Sequence, residues 1–314
     1  MAANTDSFKY WAPVDRTAPN NAHAFSLAMI GRDKDVLELG CAAGHVTQAL
    51  VEQGCRVVGI EYDARAAEAA AEIADDVVVT SLFDPGAVTK AVAGREFDVV
   101  YAGDVLEHLI DPAGVLQECR EALRPGGYAV ISLPNVAHVD VKLALLAGRF
   151  EYRDYGLLDR THLRFFTRAS ITQLVEDAGF HLVELHRVMR PPFETELEVN
   201  ASDVPSEILR AALEDPEAQS YQFVLRAVPV DGTAEQEAQV RRFADIDEQL
   251  RQERSQRATL EVDFATLEEK VAAMEAQLSD AVQARQELDA VYRTKTFRAT
   301  AGLRSLYRAL RSAR

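Results

Sequence analysis

The feature that most constrains the fold is a series of short apolar runs separated by segments of helix length. Five runs come first, and they are VLELG (36–40), RVVGIE (56–61), VVVT (77–80), FDVVYAG (97–103) and YAVISLP (128–134). Runs that are apolar on both faces suit buried parallel strands, which helical crossovers join. FHLVELHRV (180–188) and SYQFVLRAVPV (220–230) predict two more strands, paired antiparallel. We therefore expect an α/β fold with a doubly wound, seven-stranded, mostly parallel sheet.

Charge and composition divide the chain into three parts. Residues 1–232 carry 20 basic and 36 acidic side chains, residues 233–292 carry 7 and 14, and residues 293–314 carry 7 and none. Near Pro229 and Gly232, strand-like sequence gives way to a Gln-, Glu-, Ala- and Arg-rich segment without proline. The sequence predicts an α/β domain over 1–232, a helical segment over 233–292 and a basic tail over 293–314.

Composition also excludes several classes of protein. A net charge of -16 argues against nucleic-acid binding, which depends on cationic side chains. Cys41, Cys55 and Cys119 are scattered without metal-like or disulfide spacing, and the N-terminus lacks an apolar signal core. No apolar run approaches the roughly 20 residues that cross a bilayer. We expect a cytoplasmic protein without a structural metal site.

The stretch VLELGCAAGHVTQAL (36–50) predicts a strand, a small-residue turn and a helix. Ligands of such sheets bind beyond the carboxyl ends of the strands, and Gly40 and Gly44 permit close approach of the backbone. A dinucleotide fingerprint requires a small residue where His45 stands. Glu61, at the end of the second strand, suits two ribose hydroxyls. An acidic residue at this position occurs in dinucleotide sites and also in sites for other cofactors that contain a ribose, so it does not decide between these classes.

The segment Glu38–Gly44 resembles motif I of class I S-adenosylmethionine-dependent methyltransferases. The similarity continues through Glu61, then FDVVYAGDVLEHL, then ALRPGGYAVISLPN. It implies a Rossmann-like methyltransferase fold that binds S-adenosylmethionine.

This resemblance also implies roles for individual residues. Glu38 and the turn are expected to face the methionine and ribose, Glu61 to take the ribose hydroxyls and Asp104 to line the cleft near the methionine. The turn residues concerned are Gly40, Ala42 and Gly44, with Ala42 in place of the usual middle glycine. The adenine contact stays open among Ser81, Leu82 and Asp84. Glu107 and His108 are interpreted as ordinary residues of a first helical turn.

Residues 135–168, called the roof here, lie between the fifth strand and the helical segment RASITQLVEDAG. Loops of this length are functional or disordered, and this one is too aromatic for disorder. SLPNVAH, LLAGRFEY, GLLDRTHLRFFT and EDAGF are similar to methyltransferases encoded alone or fused to glycosyltransferases in bacterial surface-polysaccharide clusters.

Methyl transfer to a hydroxyl needs alignment and a base beside the cleft. On the second resemblance, His162 is the candidate base, oriented by Asp159, and His138 is the competing base. Roof aromatics and arginines suit a sugar ring, so the expected substrate contacts are Asn135, Tyr155 and Arg164. Alternatively, the His–Asp pair staples the roof and the arginines form salt bridges within it.

From Phe243 onward, apolar residues recur with alternating spacings of three and four. Twelve of fifteen seam positions are apolar or aromatic, and the fifteen are Phe243, Ile246, Leu250, Glu253, Arg257, Leu260, Phe264, Leu267, Val271, Met274, Leu278, Ala281, Arg285, Leu288 and Tyr292. A sustained 3.5-residue period predicts a coiled coil and hence a homo-oligomer. The alternative is a helix that folds back on the catalytic domain.

The tail predicts a basic amphipathic helix. It places apolar residues on one face and arginines on another, namely Leu303, Leu306, Tyr307 and Leu310 against Arg304, Arg308 and Arg311. Such a helix can lie on anionic lipid or dock on an acidic partner. TFRATAGLRSLYRAL is similar to the ends of coiled-coil proteins of the same polysaccharide clusters. This implies recruitment to the inner membrane or to a glycosyltransferase.

Three functions follow from these patterns. The leading one is an O-methyltransferase that modifies a sugar hydroxyl of a surface polysaccharide or its precursor. The second is O- or N-methylation of a small quinone- or phenol-type molecule, against which the arginine-rich roof counts. The third is a non-catalytic scaffold that binds S-adenosylmethionine, against which Glu38, Glu61 and the histidines of the roof count.

Overall fold

A computed structural model describes residues 14–200 and 204–312. The N-terminal segment that bears on a signal sequence and the last two residues of the tail lie outside this part. The chain divides after Ala258 into two compact units.

The first unit contains the sheet that the apolar runs predict. Its strands are β1 (Asp35–Leu39), β2 (Arg56–Glu61), β3 (Asp76–Val79), β4 (Phe97–Gly103), β5 (Leu123–Pro134), β6 (Phe180–Met189) and β7 (Ser220–Pro229). Their order is β3-β2-β1-β4-β5-β7-β6. The first five are parallel, and β7 runs antiparallel to both β5 and β6. The predicted fold class is confirmed, including the antiparallel closing pair.

Helices cover both faces of the sheet. They are α1 (Ala22–Ile30), α2 (His45–Glu52), α3 (Ala64–Ala70), α4 (Ala87–Val92), α5 (Pro112–Glu121), α6 (Val139–Leu146), α7 (Arg168–Asp177) and α8 (Ser206–Leu213). Adjacent strand residues face opposite cores. Val100 packs in a core with α4, α5 and α7, whereas Val99 packs in a core with α1 and α2. Burial of both faces explains why the strands are continuously apolar.

The strand order reverses beside β1, because the chain builds β2 and β3 on one side of it and β4 and β5 on the other. The carboxyl ends of β1 and β4 therefore open a crevice at the switch point of the sheet. Gly40 follows β1 and Asp104 follows β4 at this edge.

A long helix, α9 (Ala234–Arg293), begins close to the predicted boundary at residue 232. Its first part belongs to the compact α/β unit, because Phe243 packs against the main core and Asp247 is buried. The side chain of Arg187 makes a bidentate ion pair with Glu217, at 2.8 and 2.6 Å, and a further 2.9 Å contact to Asp247. The α/β unit thus extends past residue 232. The first part of α9 packs on this unit, which is the arrangement of the alternative in which the helix folds back on the catalytic domain.

The second unit comprises the rest of α9, α10 (Lys295–Ala299) and α11 (Ala301–Ser312). Apolar seam residues of this part are half to two-thirds exposed, among them Leu260, Phe264, Leu267, Met274 and Leu278. Within residues 14–200 and 204–312, no helix combines the length and apolarity needed to cross a membrane.

Candidate active site

The turn between β1 and α2 is tight and leaves no space for a side chain at Gly40. The Gly40 N–H donates to the Ile60 carbonyl at 2.8 Å. Gly40 has φ +62°, and a Cβ built there would lie 2.8 Å from Cγ2 of Val105. Ala42 also adopts a left-handed φ, +47°, which is strained for a residue with a side chain. The turn therefore presents main chain to the crevice.

Glu61 ties this turn to the end of β2. Its Oε2 accepts a hydrogen bond from the Ala42 N–H at 3.0 Å, and its Oε1 accepts from the N–H groups of Tyr62 and Asp63, both at 2.9 Å. A carboxylate offers about four acceptor sites, so capacity remains for a hydroxyl of a ligand. The turn and Glu61 therefore remain the candidate contacts for the ribose end of S-adenosylmethionine.

Glu38 lies between β1 and α2 and is 2% exposed. Thr47 Oγ1 donates to its Oε2 at 2.6 Å. Burial raises the pKa of Glu38 to about 8, against which the Thr47 hydrogen bond works. At neutral pH the group is mainly protonated. The expected contact of Glu38 with the donor stays a prediction, and in the structure the hydrogen bond from Thr47 joins α2 to β1 through this side chain.

Asp104 stands at the mouth of the crevice, exposed and with φ +55°. Ser132 Oγ donates to its Oδ1 at 2.9 Å. Asp104 directly follows β4 at the edge where the crevice opens, and its contact with the methionine end of the donor stays a prediction. Gln222 of β7 also donates to Oδ1, so the closing strand pair helps to hold this side chain.

Two further histidines, which were not among the predicted site residues, stand at the same edge of the sheet as Gly40 and Asp104. His23 of α1 and His45 of α2 make an edge-to-face contact with ring centroids 5.5 Å apart. Burial, and then His23, lower the pKa of His45 to about 4. Burial also lowers the pKa of His23, and the charge of Asp104 opposes that shift. His45 is neutral at pH 7. No motif marks His23, which precedes the sheet in the sequence.

The segment after β3 forms a turn in which the Asp84 N–H donates to the Ser81 carbonyl at 3.1 Å. Leu82 is partly buried against the main core, and Asp84 is exposed. Phe83, between them, is 54% exposed. The structure leaves the adenine contact open among Ser81, Leu82 and Asp84, and it adds an exposed aromatic ring that sequence reasoning passed over.

On the acceptor side, Glu107 and His162 come together. Glu107 lies in a 3-10 turn (Leu106–His108) after β4, and its backbone carbonyl accepts from the N–H groups of Leu163 and Arg164 at 2.8 and 2.9 Å. These bonds fasten the roof to the strand end. They place His162 Nε2 4.0 Å from Oε1 of Glu107. The interpretation of Glu107 as an ordinary helical residue is corrected, because the roof buries it to 1% exposure.

The electrostatics of this pair favour neutral forms. Burial, and then the charge of Asp104, raise the pKa of Glu107 well above its usual value. Burial, and then His108, lower the pKa of His162, while Asp159 opposes the shift. Among the described residues, Oε2 of Glu107 and Nδ1 of His162 have no hydrogen-bond partner. A neutral imidazole with an unpartnered nitrogen can accept a proton.

His108 completes the cluster. Its ring lies 4.9 Å from that of His162, and its Nδ1 donates to the Thr161 carbonyl at 3.1 Å, which leaves Nε2 as an acceptor. Ligand atoms of Glu107, His108 and His162 all lie within 4.8 Å of one another. The sequence predicted no metal, yet these three donors can hold a cation. Spacing along the chain concealed the arrangement, since His162 comes from the roof.

Asp159, the expected partner of His162, acts mainly on the loop. Its Oδ1 accepts from Thr161 N and Oγ1 at 2.8 and 2.6 Å, and its carbonyl accepts from the His162 N–H at 3.0 Å. The side chain is 2% exposed. Asp159 therefore shapes the turn that carries His162 and its charge opposes the burial that lowers the pKa of the ring, while Oε1 of Glu107 lies 4.0 Å from Nε2 of the same ring.

His138 has a structural role that counts against its assignment as the competing base. Its Nδ1 accepts the Asp140 N–H at 3.2 Å as the cap of α6, and its Nε2 donates to the Arg190 carbonyl at 3.0 Å. Both nitrogens are engaged and the residue is fully buried. Burial lowers its pKa, so the ring stays neutral at pH 7.

Asn135 is also fully buried, at the end of β5. Its amide nitrogen donates to the carbonyls of Glu217 and Ser220 at 3.1 and 2.7 Å, and its Oδ1 accepts from Ala137 N at 3.1 Å. These bonds join the roof to the segment before β7. Asn135 is therefore a structural link instead of the substrate contact that was expected.

Three arginines of the roof have protein partners, two of them within the roof and one outside it. Arg160 pairs with Asp154 at 2.8 Å, and Arg164 donates to the Ile110 carbonyl at 2.6 Å. Arg153 pairs with Glu151 at 3.4 Å. Arg160 and Arg153 therefore form salt bridges within the roof, which was the alternative to a substrate contact. Arg164 has a backbone partner. Tyr155 is 68% exposed.

A row of aromatic rings leads from His162 to the surface. Phe165 lies 6.1 Å from His162, Phe150 lies 5.9 Å from Phe165, and Tyr152 lies 5.5 Å from Phe150, all between ring centroids. Phe150 and Tyr152 are 42% and 53% exposed. Exposed aromatic rings of this kind can stack on a ring-shaped ligand.

A sheet of this order, with its donor crevice at the switch point beside β1, is the fold of Rossmann-like S-adenosylmethionine-dependent methyltransferases. Residues 10–185 match the family described as a methyltransferase domain, and the chain belongs to that family. Its α/β unit is thus an S-adenosylmethionine-dependent methyltransferase domain.

The chain is similar to several individual proteins over part of its length. A Ubiquinone biosynthesis O-methyltransferase of Psychrobacter arcticus is 32% identical over 154 residues, which cover 47% of this chain and 59% of that protein. A Mycolicibacterium smegmatis protein named "Probable S-adenosylmethionine-dependent methyltransferase" is 27% identical over 63% of this chain and 72% of its own. A solved methyltransferase from Archaeoglobus fulgidus has a TM-score of 0.48 and 15% identity, over 68% of this chain and 94% of that chain.

Proposed function

We propose that this protein is an O-methyltransferase in which His162 is the general base. The observation that carries the proposal is the buried pair of His162 and Glu107, held by the roof at the end of β4. Removal of a hydroxyl proton by a positioned base accelerates such reactions by about 10²- to 10⁴-fold.

The residues divide the work between two sides of the crevice. The main chain of the turn at Gly40 and the remaining acceptor capacity of Glu61 hold the donor. S-adenosylmethionine, when bound, supplies an electrophilic methyl group on a sulfonium. Beside the donor, His162 would accept the proton of an acceptor hydroxyl at Nδ1. Glu107, which burial keeps neutral, would face the imidazolium from the Nε2 side with a carboxyl oxygen 4.0 Å away.

The acceptor that we propose is a sugar hydroxyl of a surface polysaccharide or its precursor. Two observations support this choice, namely the similarity of the roof sequence to polysaccharide-cluster methyltransferases and the exposed rings of Phe150 and Tyr152, which suit stacking on a sugar.

A phenol- or quinol-type acceptor is the second candidate. The Psychrobacter relative is named for ubiquinone biosynthesis. In addition, Arg153 and Arg160 pair with acidic residues of the roof, which weakens the polar argument against an apolar ring. The row of aromatic rings serves this acceptor equally well.

Two measurements test these assignments. Calorimetry with S-adenosylhomocysteine should show binding, and its absence would leave only the scaffold function. Transfer of labelled methyl groups should then be compared between nucleotide-linked or lipid-linked sugars and a set of catechols. If only catechols are labelled, the phenol-type acceptor replaces the sugar. If neither set is labelled, both proposed acceptor classes are wrong. Mass spectrometry of surface glycans with and without the gene provides the cellular counterpart.

We also propose that a second copy pairs along the exposed seam of α9. The seam residues from Leu260 to Tyr292 keep heptad spacing, and Leu267 and Leu278 are 58% and 66% exposed. Sedimentation of the L267D/L278D variant should show monomers, whereas the A272D/A276D variant, changed off the seam, should sediment as the wild type does. Identical oligomers in all three proteins would remove the proposal.

A further inference from the structure

The tail helix α11 has an apolar face for which the structure offers no cover among the residues it describes. Leu303, Leu306, Tyr307 and Leu310 are 70%, 65%, 68% and 65% exposed. Their spacing places them within one arc of about 100° on the helix. Isolated exposed leucines are ordinary, but four large apolar side chains in one stripe mark a contact surface.

Arginines border this stripe on one side. Arg304, Arg308 and Arg311 each follow an apolar stripe residue in the sequence, so they project next to the stripe. The remaining face of α11 carries only alanine, glycine and serine. Guanidinium groups at the edge of an apolar stripe can reach phosphate oxygens while the stripe enters the acyl region of a bilayer.

The charge distribution favours a lipid surface that is anionic. All 50 acidic residues precede residue 293, and residues 293–314 contain seven basic ones. An anionic surface repels the rest of the chain and attracts only this segment. The repulsion also fixes orientation, because contact through any other region would bring carboxylates against the phosphates.

We propose that α11 binds the surface of a bilayer containing anionic phospholipid, lying in the interface with Leu303, Leu306, Tyr307 and Leu310 inserted. This function is independent of the proposed methyl transfer. It brings the domain to membranes, where a lipid-linked acceptor of either class would be found.

Vesicle co-sedimentation of the full chain tests the proposal without any assay of activity. Wild type should pellet with phosphatidylcholine vesicles that contain about one third phosphatidylglycerol. It should stay in the supernatant with vesicles of phosphatidylcholine alone. Raising the salt to about 0.5 M should release part of the protein.

Variants separate the two parts of the contact. R304Q/R308Q/R311Q and L303S/L306S/L310S should each lower the bound fraction at least fivefold, because one lacks the charges and the other the apolar stripe. R241Q/R242Q/K270Q loses the same number of positive charges from exposed sites outside the tail and should bind as wild type does.

Three outcomes would overturn the proposal. Wild type could stay in solution with anionic vesicles, the tail variants could bind as well as wild type, or the control variant could lose binding as they do. If the tail binds an acidic protein but no vesicles, α11 is a protein-docking helix and the proposal is also wrong. Unchanged affinity for S-adenosylhomocysteine in every variant shows that the methyltransferase domain remains folded.

Discussion

Two buried carboxylates stand at the same edge of the sheet, and their surroundings differ. Glu61, on the donor side, accepts three backbone N–H groups from residues near the glycine turn and the end of its own strand. Glu107, on the acceptor side, is buried more deeply, with one oxygen unpartnered among the described residues and a histidine 4.0 Å away. We propose that the hydrogen bonds of Glu61 hold the turn on the donor side, whereas the unsatisfied groups beside Glu107 serve proton transfer on the acceptor side.

The largest effect should come from removing the base. We expect H162A to reduce kcat by about 10²- to 10⁴-fold with unchanged affinity for S-adenosylhomocysteine, because the imidazole acts on the acceptor proton only. H186A, which removes a half-exposed histidine of β6, is the control and should retain activity. Nearly full turnover of H162A would show that His162 is not the base, and the two sides would then not differ in the way described above.

The second effect concerns the donor side. G40A places a Cβ 2.8 Å from Val105 in a left-handed conformation and should weaken S-adenosylhomocysteine binding on the order of 100-fold. G94A has a similar positive φ, +80°, in open space, so it shares the backbone strain without the clash. Equal loss of affinity in both variants would show that strain, and not the tight turn, explains the result.

A smaller effect should distinguish the two carboxylates near His162. E107Q should lower kcat by about 10- to 100-fold and leave the acidic limb of the pH profile in place, because burial already keeps Glu107 neutral and the substitution removes only a carboxyl group that faces His162. D159N keeps an oxygen that can accept from Thr161 and should change kcat less. The opposite ranking would return Asp159 to the role that the sequence suggested.

The smallest effect on activity is expected for Glu38, whose contribution lies in stability. Its folded pKa of about 8 exceeds the ordinary value of 4.5, so the wild type should lose stability relative to E38Q as pH rises from 4.5 to 8. The upper bound of this difference is about 5 kcal/mol. Urea unfolding of both proteins across this range measures it, and a difference independent of pH would mean that Glu38 is charged when folded.

Much of the donor side was accessible from sequence because its parts are local. The apolar runs predicted every strand within a few residues, apart from the early start of β5 at Leu123. Gly40, Glu61 and Asp104 each directly follow or end a strand. Strand ends of a parallel sheet meet at one edge, so their order along the chain is sufficient to assemble them.

The acceptor side depended on contacts between distant segments. The sequence pointed to His162 and to Asp159 three residues before it, but spacing gave no sign that Glu107, more than fifty residues earlier, also lies 4.0 Å from the ring. His138 and Asn135 looked functional because they are polar and follow a strand, while in the structure every nitrogen of both side chains is used to anchor the roof. Polarity alone does not reveal whether a group is already satisfied.

By itself, then, the sequence determined the sheet, the donor turn, the acidic residue of β2, the long helix and its basic end, since each depends on periodicity or on residues close along the chain. Tertiary structure decided which carboxylate meets His162, which histidine is only a helix cap, and how far the domain extends along α9. Those outcomes depend on burial and on hydrogen bonds between remote segments, which change pKa values and occupy polar atoms in ways that no local pattern encodes.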